Sequence, residues 1–201
     1  MKKMELLAPA GDIEKLKIAV LYGADAVYFG GETFSLRAGA GNMTLEEMKE
    51  GIEFAHSRGV KCYLALNIFA HNEDIEPLRE YLTSIKKSGI DAFIVSDPGI
   101  VALVQEIIPE AELHLSTQAN MTNYQTAKFW YNIGIKRIVL ARELTFNEIK
   151  ELRDNTPADL EFEAFVHGAM CISYSGRCLL SNFMIERDAN RGMCAHPCRW
   201  K

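Results

Sequence analysis

The chain has 201 residues, 48% of them hydrophobic and 24% charged, a balance that fits one compact globular domain and excludes a disordered or collagen-like chain. The formal net charge of −5 excludes a generalised basic surface, so a polynucleotide partner would need a local basic patch or residues outside this chain. Apolar runs such as Gly99 to Leu103 are too short to cross a bilayer, and Met1-Lys-Lys-Met4 leads into Glu5 instead of an apolar signal core, which predicts a cytoplasmic protein with no membrane segment.

In chain order, strand candidates fall at Leu6 to Ala8, Ala26 to Phe29, Cys62 to Leu66, Ala92 to Val95, Leu113 to Ser116, Arg137 to Leu140 and Phe162 to Val166. Four of them follow one phrase, a glycine two residues before the strand at Gly23, Gly59, Gly89 and Gly134, each suited to the left-handed position that ends a helix. Between the strands lie amphipathic stretches with helix-start signals, including the capping boxes Thr44-Leu-Glu-Glu47 and Thr145-Phe-Asn-Glu148. Strand and helix alternate throughout, which predicts an α/β fold with a parallel sheet. Seven strands at this rhythm favour a TIM-type (β/α)₈ barrel with about seven βα units present. The sequence stops at Cys198-Arg-Trp-Lys201 without residues for an eighth strand, and we expect residues 1–201 to be an incomplete barrel, a fragment, with a cysteine-rich segment at 163–201 on its carboxyl-end face.

Alternation assigns the faces. In Glu161-Phe-Glu-Ala-Phe-Val-His167, the polar side carrying Glu161, Glu163, Phe165 and His167 should look into the barrel, and Phe162, Ala164 and Val166 should meet the helices. The same reasoning places His114, Ser116 and Gln118 inside and Leu113 and Leu115 outside. Glu161 and His114, deeper in the strands, suit either a pocket or a hydrogen-bonded filling of the barrel centre. Catalytic groups in this fold sit at strand carboxyl ends, here Pro9 to Gly11, Gly30 to Glu32, Asn67, Asp97, Ser116 to Gln118, Arg142-Glu143 and His167-Gly168. The glycine-rich loop from Gly30 to Gly41 carries Arg37 and has the composition either to wrap an anion or to act as a lid without ligand contact.

Four of the five cysteines, Cys171, Cys178, Cys194 and Cys198, crowd the segment directly after His167. In a reducing cytosol such thiols are more often metal-binding or catalytic than disulfide-bonded. The spacing C-x₆-C, x₁₅, C-x₃-C lacks the C-x₂-C knuckles of structural zinc sites, whereas iron–sulfur clusters accept irregular spacing. From spacing alone a cluster, zinc and free thiols all stay open. A nucleophilic cysteine with His167 as base would leave three cysteines unexplained. His196 is a substitute ligand or an exposed loop histidine, and the lone Cys62 reads as a core residue.

The pattern Glu163-x-Phe165-x-x-Gly168-Ala-Met-Cys171-x₄-Gly176-x-Cys178-x-Leu180-Ser181, with Leu7-Ala-Pro-Ala-Gly-Asp12, Asp25-Ala-Val-Tyr-Phe-Gly30 and Arg191-Gly-Met-Cys-Ala-His-Pro-Cys-Arg-Trp200, resembles the U32 peptidase family over essentially the whole chain. Some members of that family are named collagenases or proteases; others are oxygen-independent hydroxylases of a tRNA wobble uridine, a ribosomal RNA cytidine or the ubiquinone ring. The resemblance implies an RNA-modifying hydroxylase of the tRNA branch, with a [4Fe-4S] cluster, an anionic co-substrate such as prephenate, and a tRNA or other RNA substrate. It also allows a homologous partner subunit, as well as the alternatives of a peptidase or a cluster-bearing assembly subunit. Neither a Gly-x-Ser-x-Gly elbow nor a His-Glu-x-x-His helix supports the protease. Carried over by motif, Cys171, Cys178 and Cys194 would be ligands, with Cys198 or a cysteine beyond Lys201 as the fourth. Arg37 and Arg142 would bind the anion beside Asn67, Asp97 and Gln118, and His167 or Glu163 would move protons.

Overall fold

The computed structural model of the protein describes residues 4–31, 34–35, 43–168 and 170–200. Strand and helix alternate as β1 (Leu7–Pro9), α1 (Ile13–Leu21), β2 (Ala26–Gly30), α2 (Leu45–His56), β3 (Lys61–Leu66), α3 (Ile75–Ile85), β4 (Ala92–Val95), α4 (Pro98–Ile107), β5 (Glu112–Leu115), α5 (Tyr124–Asn132), β6 (Ile135–Val139), α6 (Phe146–Asp154), β7 (Glu161–Glu163) and α7 (Leu180–Ile185). All pairings are parallel, and the strand order in the single sheet is the chain order, β1 to β7. This is the curled βα barrel the sequence predicts, seven units long among the described residues. Among them, too, no helix is long and apolar enough to cross a membrane.

Local chemistry sets the punctuation. Asp12 accepts from the Lys15 amide at 2.8 Å to cap α1, and Asn123 accepts from Thr126 at 2.9 Å to cap α5. Both predicted capping boxes form, with Thr44 and Glu47 bonded reciprocally at 3.2 and 2.9 Å, and Thr145 and Glu148 at 3.4 and 2.8 Å. Gly23, Gly59, Gly89 and Gly134 stand at φ of +95°, +72°, +87° and +105°, the region where a Cβ is costly.

β4 spans the residues read from the sequence, and the other strand ends differ from the reading by at most three residues. β6 starts at Ile135, directly after Gly134, because the ladder with β5 begins there. β7 ends at Glu163, whose carbonyl accepts the Leu140 amide at 2.8 Å. Past it the predicted inside–outside pattern lapses, and Val166, expected against helices, is 88% exposed.

Two layers bury the sheet. Outward side chains such as Leu64, Leu66, Leu113 and Leu115 pack with Leu16, Leu78 and Leu82 of the helices. Inward, Ala26, Tyr63, Ala92 and Ile94 cluster with Leu7 and Tyr28. Below them the barrel is filled by charge. Arg137, 7% exposed, donates from Nη1 to Glu5 Oε1 at 2.5 Å and from Nε and Nη2 to Glu161 Oε2 at 3.0 and 2.7 Å. Tyr63 donates its hydroxyl to the same Glu5 oxygen at 2.9 Å, and His114 sits edge-on to the Tyr63 ring at 4.7 Å, hydrogen-bonded to Glu112 at 2.9 Å. Glu161 and His114 therefore belong to the hydrogen-bonded filling.

This bridge closes the curl: Glu5 precedes β1, Arg137 is in β6, and the two meet across the barrel. Truncating one partner of a fully buried pair costs about 3–5 kcal/mol, and the partial exposure of Glu161 lowers that. Arg137→Ala is expected to lose about 2–3 kcal/mol, measured as a lower urea midpoint, and Arg137→Lys should recover only part because an ammonium cannot fork between two carboxylates.

Candidate functional site

Above the charged layer, at the carboxyl ends of the strands, lies a cavity of about 230 Å³ lined by Tyr28, Ala65, Asn67, Ile94, Ser116, Thr117, Gln118, Val139, Glu163 and Phe165. Three predicted site residues meet in it. Asn67 donates its amide to Ser116 Oγ at 3.3 Å and to Gln118 Oε1 at 3.2 Å, and the Ser116 hydroxyl bonds the same Gln118 oxygen. Glu163 forms the floor with its Oε2 buried and lacking a hydrogen-bond partner, 3.7 Å from Arg137 Nη1. Burial pushes its carboxyl up to about 7, with Arg137 pulling the other way and Glu5 adding to the rise.

The other predicted residues are placed differently. Asp97 borders a shallow crevice beside the cavity, and its carboxylate caps α4 by accepting from the Gly99 and Ile100 amides at 2.7 and 3.2 Å. Arg142 reaches into the cysteine segment, donating to the carbonyls of Cys171 at 3.3 Å and Ser173 at 3.5 Å, with its Nε buried and unpartnered. His167 is exposed and does not line the cavity. Arg37 lies outside the described residues.

The segment from Cys171 to Trp200 lies over the barrel mouth, held by bonds from several strand ends. Glu143 accepts the Ser175 amide at 2.6 Å and its hydroxyl at 3.0 Å; Ser175 is fully buried at φ +46°, a left-handed conformation that this carboxylate secures. Arg177 donates to the Gln118 carbonyl at 2.6 Å and rests over the Phe69 ring at 5.3 Å. Arg191 forms a bidentate pair with Asp74 at 2.5 and 2.7 Å and also donates to the Phe69 carbonyl at 3.2 Å. That pairing holds the Asp74 carboxyl below its ordinary range. The Phe69 amide returns a bond to the Asn190 carbonyl at 3.0 Å.

Within the segment all four cysteines are free thiols. Asn190 brackets Cys178, accepting its amide and donating to its carbonyl, both at 3.0 Å. The Leu180 amide points at the Cys178 sulfur at 3.3 Å and the His196 amide at the Cys194 sulfur at 3.4 Å, with the Ser181 hydroxyl 3.9 Å from the latter. Hydrogen bonds from Ser173, then from the Leu180 and Ser181 amides, hold the Cys178 thiol below its ordinary range. No three of the four sulfurs lie mutually within 4.8 Å, whereas thiolates around one zinc stand about 4 Å apart, given Zn–S bonds of about 2.3 Å. Four thiols on one segment are the donor chemistry of a soft metal or cluster site.

Cys62 is a core residue, wholly buried. Its sulfur lies within 4.8 Å of ligand atoms of His56 and Asp91. There, however, Asp91 Oδ2 already accepts the Cys62 amide at 2.7 Å and pairs with His56 Nε2 at 2.8 Å, and burial, then Asp91, pushes the thiol up to about 12.

Sequence reasoning passed over Tyr28, Phe69, Asp74, Arg177 and Asn190. Tyr28 was findable, since it shares the inward parity of Ala26; the others act through bonds to distant segments.

The chain matches the model of peptidase family U32 over residues 11–201. It is 51% identical over 199 residues to tRNA hydroxylation protein P1 of Bacillus subtilis, covering 99% of this chain and 47% of that protein. Identity is 46% over 201 residues to tRNA hydroxylation protein P of Escherichia coli, covering 100% and 44%, and 43% over 197 residues to the 23S rRNA 5-hydroxycytidine C2501 synthase of the same organism, covering 98% and 29%. The chain spans about half the length of the first two relatives. A solved U32 peptidase structure superposes with a TM-score of 0.65 at 15% identity, covering 81% of this chain and 68% of that one, a likeness of fold.

Two outcomes test this geometry. Because folding raises the Glu163 pKa, the ionised carboxyl opposes folding: the cost is absent well below the ordinary carboxylate range, builds as pH rises from that range to about 7 and is fully present above it. Glu163→Gln should therefore be more stable than the parent by about 2 kcal/mol at pH 8.5 and little different near pH 4, read from urea unfolding at the two pH values. Asp74→Ala should accelerate amide hydrogen exchange across residues 188–194 while leaving the sheet amides protected, since it frees the Arg191 anchor.

Proposed function

The chain belongs to peptidase family U32, and from that premise we propose that it takes part in oxygen-independent hydroxylation of a tRNA wobble uridine, using an iron–sulfur cluster and prephenate. The observation that carries this reading is the 51% identity to a tRNA hydroxylation protein, sustained along a chain whose cysteine segment lies directly over a barrel-mouth cavity. Cys171, Cys178 and Cys194 would hold the cluster, with Cys198 or a cysteine beyond Lys201 as the fourth ligand. When bound, such a cluster would supply one-electron transfer, with the hydroxyl coming from the co-substrate.

The rest is work for side chains of this chain. Glu163, buried and titrating near neutrality, is suited to hold or release a proton at the cavity floor. Arg142 fixes the carbonyls of Cys171 and Ser173 and keeps one buried N–H for a further acceptor, which suits it to an anionic co-substrate next to the cysteines. Arg37 is the second cation we assign to that anion. For the RNA, the chain carries Arg177, Arg187 and Arg199 exposed on the segment over the mouth, together with exposed Tyr174, Phe183 and Trp200. Guanidinium groups among aromatic rings suit phosphates and unstacked bases. On an acidic chain these are the groups of this segment that an RNA partner would meet. A tRNA substrate would be met in the cytoplasm, the location we assign with this reading.

Anaerobic purification should give a brown protein with a cluster EPR signal after reduction, and Cys178→Ser should lower its iron content; a colourless protein with stoichiometric zinc would exclude the cluster. Nucleoside mass spectrometry of tRNA and ribosomal RNA from a deletion strain should show loss of hydroxylated uridine. Unchanged RNA together with gelatin cleavage that vanishes in Cys171→Ala would favour a peptidase instead.

A further inference from the structure

The barrel-mouth cavity has a volume and a lining that select among ligands. At about 230 Å³ it falls below the roughly 300–1,000 Å³ of sites for drug-sized molecules, leaving room for a single substituted ring. Two rings of its own stand in the wall, Tyr28 from β2 near one end of the sheet order and Phe165 just after β7 at the other. Between them the polar lining consists of amides, hydroxyls and one carboxyl: Asn67, Gln118, Ser116, Thr117 and Glu163. Among the described residues, no cationic side chain is in that lining. The nearest cation to Glu163, Arg137, lies beneath it and is already engaged by Glu5 and Glu161.

A ligand carrying carboxylates would meet the Glu163 carboxyl and otherwise neutral groups among these residues, a costly desolvation. A neutral heterocycle with donors and acceptors on its edge meets the opposite situation: aromatic faces to stack on and amides, hydroxyls and a carboxyl to read its edge. Resting on the RNA reading above, we propose that this cavity receives the target pyrimidine base itself, swung out of the RNA stack, and that the anionic co-substrate binds outside it. Enzymes that act on a base take it out of the stack into a closely fitting pocket in this way. Phe165, 43% exposed, forms the rim the base passes and stacks against. Glu163, protonated in part at neutral pH, offers an O–H to a ring carbonyl.

The test uses the full-length protein and a tRNA carrying 5-fluorouridine at the target position, followed by ¹⁹F NMR. The parent should move the fluorine resonance away from its stacked position on binding. Ala65→Leu, which fills the cavity from a 3%-exposed wall position, should bind the tRNA within about twofold of the parent, since phosphate contacts dominate affinity, yet leave the fluorine at its free position and cut hydroxylated uridine at least tenfold. If Ala65→Leu fails to fold, Phe165→Ala at the rim carries the test, with roughly a tenfold or greater loss of the shifted population because one stacking face is removed. An identical fluorine shift in parent and variant would overturn the assignment and leave the RNA reading intact. So would an Ala65→Leu protein that keeps the shift but raises the KM for prephenate, since the cavity would then be the co-substrate's. A parent that binds no tRNA and restores no hydroxylated uridine in a deletion strain would overturn the RNA reading and this assignment with it.

Discussion

The structure depends on how one buried guanidinium is shared. A parallel barrel must fill its centre, and here the lower filling is ionic: Arg137 bridges Glu5 and Glu161 while Tyr63 and His114 pack against the same group. Buried ion pairs of this kind do little for net stability, because desolvation offsets their attraction, but they tolerate few alternative arrangements. The pairing joins the chain before β1 to β6 and so fixes the curl of the sheet. It also leaves Glu163 one layer higher, near enough to feel the cation and too far to hydrogen-bond with it. The half-compensated carboxyl at the cavity floor follows from the fully compensated ones beneath it.

The cysteine segment obeys a different rule. With short helical turns and little regular structure of its own, it takes its shape from side chains that answer backbone groups: Glu143 for Ser175, Arg142 for two carbonyls, Arg177 for Gln118, Asn190 for both polar groups of Cys178. Irregular chain over a barrel mouth must satisfy its amides and carbonyls somewhere, and these residues do so. The thiols stay free at the outer surface of a segment whose inner surface is pinned.

The parts of this architecture that were legible in the sequence are those set by neighbours in the chain. Left-handed glycines ahead of strands, capping boxes and the order of elements depend on chemistry within about four residues, and each formed as expected, although the gap from glycine to strand varies and vanishes at Gly134. Inside and outside parity held through Leu113, His114 and Leu115 and failed at Val166, past the last ladder bond, where parity no longer has a sheet to refer to. Asp97 was found at the right strand end but caps a helix, because a carboxylate preceding Pro98 and Gly99 meets free amides before it meets a ligand. Arg142 was found as a cation and proved to be a strut of the cysteine segment. Arg191 and Asp74 are 117 positions apart, and no local pattern joins such partners.

One chain of bonds ties the thiols to the cavity. Cys178 is gripped by Asn190, Asn190 is bonded to Phe69, two residues beyond Asn67 in the cavity wall, and Arg191 locks the same stretch to Asp74. The exit of β3 is thus held in common by the cysteine segment and the cavity wall. A substitution at Asn190 would therefore be felt on two sides, at the Cys178 backbone and at the stretch that leads back to Asn67.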